Sequence, residues 1–259
     1  MNVYDFAFLR LAVASAIMVT ALALQGGIRP LVLKEWSVWI LGLLNGLAFS
    51  LQYMGLLYTT AGRTALLVNL NVVMVALLSW RMFGERIGAG KVLGVGLGTI
   101  GAALITTEGD LSTFMQGELL GDVLVFSAGL VWALFIVLHK RILIRSERNV
   151  IELSAVVMLT TAVALLPAAV VFGGLNIVTI PLVGWGWVAF TAVMCTVLPY
   201  GLWIFALKAV TATVASVVSM LEIVAAMILS MILLGEAYSA VTLVGAIMIL
   251  ASIFAVAQR

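Results

Sequence analysis

Charge is what this sequence has least of: Asp, Glu, Lys and Arg make up 9% of its 259 residues, where a water-soluble domain carries about a quarter. That shortage excludes an ordinary soluble domain. Cysteine is nearly absent too; the single Cys195 cannot form an internal disulfide and reads as small apolar packing. The single histidine, His139, stands beside Lys140 and Arg141. There is no HExxH, no Cys/His cluster and no phosphate loop, so neither an enzyme nor a metal or cofactor site is expected. The stretch Gly96-Leu97-Gly98-Thr99-Ile100-Gly101 fits a G-x-G-x-x-G pattern, but no strand precedes it and it lies inside an apolar run. A net charge of +2, with no basic run interleaved with aromatics, speaks against nucleic acid as a partner.

What the chain does have is apolar length. Apolar residues make up 64% of it, in stretches long enough to cross about 30 Å of hydrocarbon at about 1.5 Å per residue. Nine such stretches are predicted, at 5–24, 36–59, 64–83, 88–106, 118–138, 151–172, 185–206, 211–234 and 239–256. A backbone in lipid must satisfy its own hydrogen bonds, and segments of this length do so as helices. The fold class expected is therefore an all-α integral membrane protein, with lipid and a small-molecule solute as partners. Trp36, Trp39, Trp185 and Trp187 fall at helix ends as interfacial anchors.

The positions of the 13 Lys and Arg residues set an orientation. All but Arg10 and Arg63 fall on one side, among them Arg29, Lys34, Lys91, Lys140, Arg148 and Arg259. Positive charge stays cytoplasmic during insertion, which puts the C-terminus inside.

Sliding the chain on itself by 151 residues aligns Trp36 with Trp187, Thr60-Ala61 with Thr211-Ala212, Leu78-Ser79 with Leu229-Ser230, Gly84-Glu85 with Gly235-Glu236, and Gly94 with Gly245. The first predicted helix then pairs with the sixth, the second with the seventh, the third with the eighth and the fourth with the ninth; the partner of the fifth falls before residue 1. A complete repeat has five helices, an odd number, so the two copies cross the membrane in opposite senses. The expected architecture is a ten-helix 5+5 inverted-repeat bundle lacking its first helix. Its divisions are a first repeat at 1–106, an extracytoplasmic connection at 107–117 and a second repeat at 118–259.

Asn71 with Gly84-Glu85, and Leu221-Glu222-Ile223-Val224 through Leu234-Gly235-Glu236, resemble the EamA-type family of the drug/metabolite transporter superfamily, and the resemblance covers essentially the whole chain. It implies two inverted five-helix repeats and export of amino acids, metabolites or drugs. Ile223 stands where that family commonly has proline, so a kink in the eighth helix is not implied here.

Glu222 is the deepest carboxylate and is expected to face inward, because an ionised group in mid-membrane costs about 3 kcal/mol unless solvated or paired. It is the candidate for proton coupling. Asn45 and Gln52, with Phe49 and Tyr53, make a polar and aromatic stripe on the second helix; the shift maps Phe49 to Tyr200 and Gln52 to Trp203. Asn45, Phe49, Gln52, Asn71, Trp132, Tyr200, Trp203 and Glu222 are therefore the cavity candidates. Of Asn69 and Asn71, two apart and on different faces, one is expected to bond between helices and Asn71, the equivalent of Glu222, to face the solute. Asp122, Glu85 and Glu236 read as carboxylates at helix N-termini. Gly90, Gly94 and Gly98, like Gly42 and Gly46, form small-residue ridges for packing, with a homodimer face as an alternative for the former.

Together these features point to a secondary transporter, an exporter working by alternating access with proton coupling. The alternative is a non-transporting membrane subunit or scaffold.

Overall fold

The computed structural model describes residues 1–24, 35–110, 119–145, 150–175 and 180–257. Arg29, Lys34, Arg148 and Arg259 of the charge count, and residues 111–117 of the expected connection, lie outside the described residues. Among those described there are helices and no strands, and nine helices are long and apolar enough to cross a membrane. These are α1 (Val3–Leu24), α2 (Trp36–Leu56), α3 (Ala61–Phe83), α4 (Ala89–Thr107), α5 (Leu119–Arg145), α6 (Val150–Ala168, continued by Ala169–Gly173), α7 (Leu182–Ala209), α8 (Ala212–Leu234) and α9 (Ala240–Ala257). Most ends fall within three residues of the sequence expectation. The exception is α5, which runs on through His139, Lys140 and Arg141 to Arg145. Lys140 turns inward there, and its Nζ donates to the carbonyls of Leu207 (2.6 Å) and Lys208 (3.3 Å) at the C-terminal end of α7. A cation at a helix C-terminus meets both the dipole and unsatisfied carbonyls, which lets a charged residue extend an apolar helix.

Local chemistry accounts for the irregular turns. Pro199 has no N–H to give, and its ring crowds the carbonyl of Cys195 one turn back. The helix widens into a π turn at Val193–Val197, which the N–H of Leu198 closes on the carbonyl of Val193. Cys195 in that turn is exposed, not packed as its composition suggested. Pro167 is likewise followed by a π turn, Ala169–Gly173.

α3 and α8 share a set of backbone devices. Thr60 and Thr211 cap them, accepting the N–H of Arg63 and of Val214. Each is interrupted, at Leu70 (φ −61°, ψ −13°) and at Met220 (φ −63°, ψ −12°). The break in α8 thus occurs without a proline. Both helices stop at a glycine in the left-handed region, Gly84 (φ 63°) and Gly235 (φ 69°). A side chain there would strain the backbone, which explains the repeated Gly-Glu pair. Glu85, however, forms an ion pair with Lys91 (2.6 Å), and Glu236 accepts the Tyr238 hydroxyl (2.8 Å), so each carboxylate has a side-chain partner in place of a bond to a helix terminus.

The helices fall into two compact units, each mixing both halves of the chain: Met1–Tyr53 with Leu138–Ala209, and Met54–Val137 with Val210–Arg259. In the first, Asn2 and Asp5 at the start of α1 bond to Phe172 and Leu175 at and just past the end of α6, while Met18 and Leu22 share an apolar cluster with Ala155 and Met158 near its start. α1 and α6 therefore run antiparallel. Gly42 and Gly46 of α2 press on Thr160 and Ala164 of α6, with no room for side chains. In the second unit, a Cβ on Gly94 would lie 2.8 Å from the Ser252 carbonyl oxygen, and one on Gly101 2.6 Å from that of Gly245. As one number rises the other falls, so α4 and α9 are antiparallel. Gly94 and Gly98 both turn toward residues of their own unit, so these two glycines serve packing within the chain.

Candidate functional site

In the first unit, residues 45, 49, 52 and 53 of α2 recur at intervals of three and four and so share one side of the helix. Their fates differ. Asn45 is 95% buried, and its amide donates to the Thr161 hydroxyl (3.2 Å), so at least part of its bonding capacity is spent between helices. The Phe49 ring stacks on Tyr53 with centroids 6.0 Å apart, and Tyr4 meets Tyr53 edge-on at 6.1 Å. Gln52 is half-buried, with no hydrogen bond among the described residues. Tyr200, the mate of Phe49 under the 151-residue shift, packs on the same apolar cluster as Phe49, around Leu11, Met158 and Leu165. Its buried hydroxyl has no hydrogen-bond partner among the described residues, and its ring lies 6.1 Å from that of His139. Trp203, one turn further along α7, is half-buried.

One group in this unit was missed. Arg10 of α1 stands with its guanidinium carbon 5.7 Å from the centroid of Phe49. In the sequence it counted only toward orientation, although a cation within an apolar run is itself a signal.

In the second unit, Glu222 lies midway along α8, in the first turn after the break at Met220. It is exposed on the unit's surface and makes no hydrogen bond among the described residues, so it is not a buried strut between helices. The N-terminal end of the following helical segment favours its negative charge. Asn71 begins the segment of α3 that follows its own break. Asn69 donates to the carbonyl of Ala65 in its own helix (2.7 Å), so the bond expected between helices is instead local. Trp132 of α5 is half-buried.

Asp122, expected to be held by its own helix terminus, has stronger partners. It pairs with the Arg63 guanidinium, whose Nε donates at 3.0 Å, and accepts the Thr59 hydroxyl at 3.0 Å. A cavity of about 370 Å³ between α3 and α4 has an almost wholly apolar lining, including Val73, Leu77, Val95 and Ile100. None of the eight candidate residues lines it, and it offers little to recognise a polar solute.

Comparison with known proteins adds a family. The profile described as the EamA-like transporter family matches residues 1–107 and 119–258. An "Uncharacterized transporter" of Archaeoglobus fulgidus is 27% identical over 253 residues, covering 97% of this chain and 86% of the relative. "Uncharacterized transporter YyaM" of Bacillus subtilis is 27% identical over 246 residues, covering 93% and 80%. A crystal structure aligns with TM-score 0.82 and 17% identity over 99% of this chain and 87% of that one, a likeness of fold.

Proposed function

Because the chain belongs to the EamA-like transporter family, we propose that this multi-pass membrane protein is a secondary transporter exporting small metabolites, amino acids or drugs from the cell by alternating access, with proton coupling through Glu222. In this reading residues 1–106 and 118–259 are two inverted repeats, and the C-terminus is cytoplasmic. Several features support the repeats: the paired threonine caps, helix breaks and glycine stops of α3 and α8, and the family match divided near residue 110. Inverted repeats commonly enclose a solute site near the midplane.

The observation that carries the reading is Glu222, a mid-span carboxylate with no hydrogen bond among the described residues. Such a group costs about 3 kcal/mol at the centre of a helix, and intramembrane ionisable residues mark proton and solute pathways. The test is flux through the purified protein in proteoliposomes, against amino acids and cationic drugs, with and without an imposed pH gradient. Gradient-driven flux of any of them supports a coupled carrier. Folded protein that moves none of a broad panel would favour a non-transporting subunit.

A further inference from the structure

Arg10 lies in the third turn of α1, about 10 Å along the helix from Val3 at 1.5 Å per residue. A guanidinium at that depth must be compensated. It is half-buried, and among the described residues its buried Nε has no hydrogen-bond partner and it takes part in neither ion pair. By contrast, Arg63 is forked onto Asp122, and Lys140 caps the carbonyls ending α7. Arg10 instead lies over the face of Phe49, and Gln52, one turn further along α2, also has its amide unspent. A guanidinium fork and an amide thus stand in one compact unit with bonding capacity to give, beside the Phe49 ring. Lipid tails cannot use that capacity.

Taking the transporter reading as its ground, we propose that Arg10 anchors the solute site, and that the solute is a small carboxylate with an apolar or aromatic body. The planar guanidinium matches a carboxylate through two parallel hydrogen bonds. The Phe49–Tyr53 stack and the apolar cluster it packs against supply an apolar wall for the body. Gln52 serves a further polar group on the solute. A phosphate monoester would set nearly two charges against one guanidinium, so a single carboxylate is the better match.

The test labels the protein in proteoliposomes of zwitterionic phosphatidylcholine with p-hydroxyphenylglyoxal, a water-soluble guanidinium reagent, and follows Arg10 by peptide mass spectrometry. Benzoate, hexanoate and L-phenylalanine are compared with their neutral or cationic amides. The expected result is that Arg10 reacts, and that a carboxylate at about ten times its dissociation constant slows the reaction about tenfold, since only the empty fraction reacts, while its amide does not. An Arg10 that never reacts, equal protection by acids and amides, or no protection by any acid would overturn the site. So would protection by added phosphatidylglycerol alone, which would make the anion a lipid headgroup. Flux of the protective acid should fall from wild type through Arg10→Lys to Arg10→Gln; unchanged flux in Arg10→Gln also overturns the proposal. Selective protection without flux would sink the carrier and leave this site standing, whereas flux without selective protection would do the reverse.

Discussion

The carbonyl oxygen of Gly245 lies 2.6 Å from where a Cβ on Gly101 would stand, and the carbonyl oxygen of Gly101 lies 2.7 Å from the matching point on Gly245. The two backbones therefore meet with no side chain between them. A neighbouring contact, Gly94 with Ser252, is the same contact displaced by the 151-residue shift and read in reverse, since Gly94 maps to Gly245 and Gly101 to Ser252. An antiparallel helix pair that maps onto itself in this way fits the inverted-repeat reading proposed above.

Gly101→Ala and Gly245→Ala should each lower thermal stability in detergent, by about 1–3 kcal/mol, because the new methyl meets backbone that cannot swing away. The double variant should lose less than the sum, since helices already spread by one methyl accept the second more cheaply. Strict additivity in the unfolding midpoints would mean the two glycines do not share one contact.

Asp122→Asn and Arg63→Gln should each destabilise the protein by about 1.5–3 kcal/mol, the usual worth of hydrogen bonds to a charged group. Their side chains are only 17% and 11% exposed, so solvent screens the pair weakly. A double-mutant cycle on thermal unfolding should give a coupling energy well above that of a surface pair, about 1 kcal/mol or more. Near-zero coupling would reduce the contact to a surface ornament.

Asn45→Leu should cost little, about 0.6 kcal/mol, the average for a polar contact between membrane helices. Thr161 keeps its own bond to the Val157 carbonyl (2.7 Å) when the amide is gone. Transport should keep its KM; a rise in KM at unchanged thermal stability would make Asn45 a solute contact.

Glu222→Gln should leave insertion and the unfolding midpoint within about 0.5 kcal/mol of wild type, as is usual for exposed positions. It should abolish the component of flux that responds to a pH gradient. Wild-type pH dependence in this variant would remove Glu222 from coupling.

Much of this molecule was legible from local sums of side-chain hydrophobicity. The nine spans, most of their ends and the 151-residue correspondence follow from the chain alone, because crossing lipid is a requirement that about 20 neighbouring residues meet among themselves. The repeated Gly-Glu was visible as a motif, but its cause, a left-handed helix stop at Gly84 and Gly235, is a backbone property.

Helix partners were not legible, nor were the polar contacts that join them. In soluble proteins one apolar stripe marks the inner face of a helix; here α1, α6 and α9 are nearly evenly apolar all round, since lipid and protein interior are equally dry. That is why Arg63 against Asp122, Asn45 against Thr161 and Arg10 over Phe49 came from the tertiary structure. Their sequence separations carry no periodicity to read. The sequence by itself determined that the chain lives in a membrane and where it crosses; only the tertiary structure decided which polar side chains are spent on the fold and which, like Arg10 and Glu222, keep bonding capacity unspent.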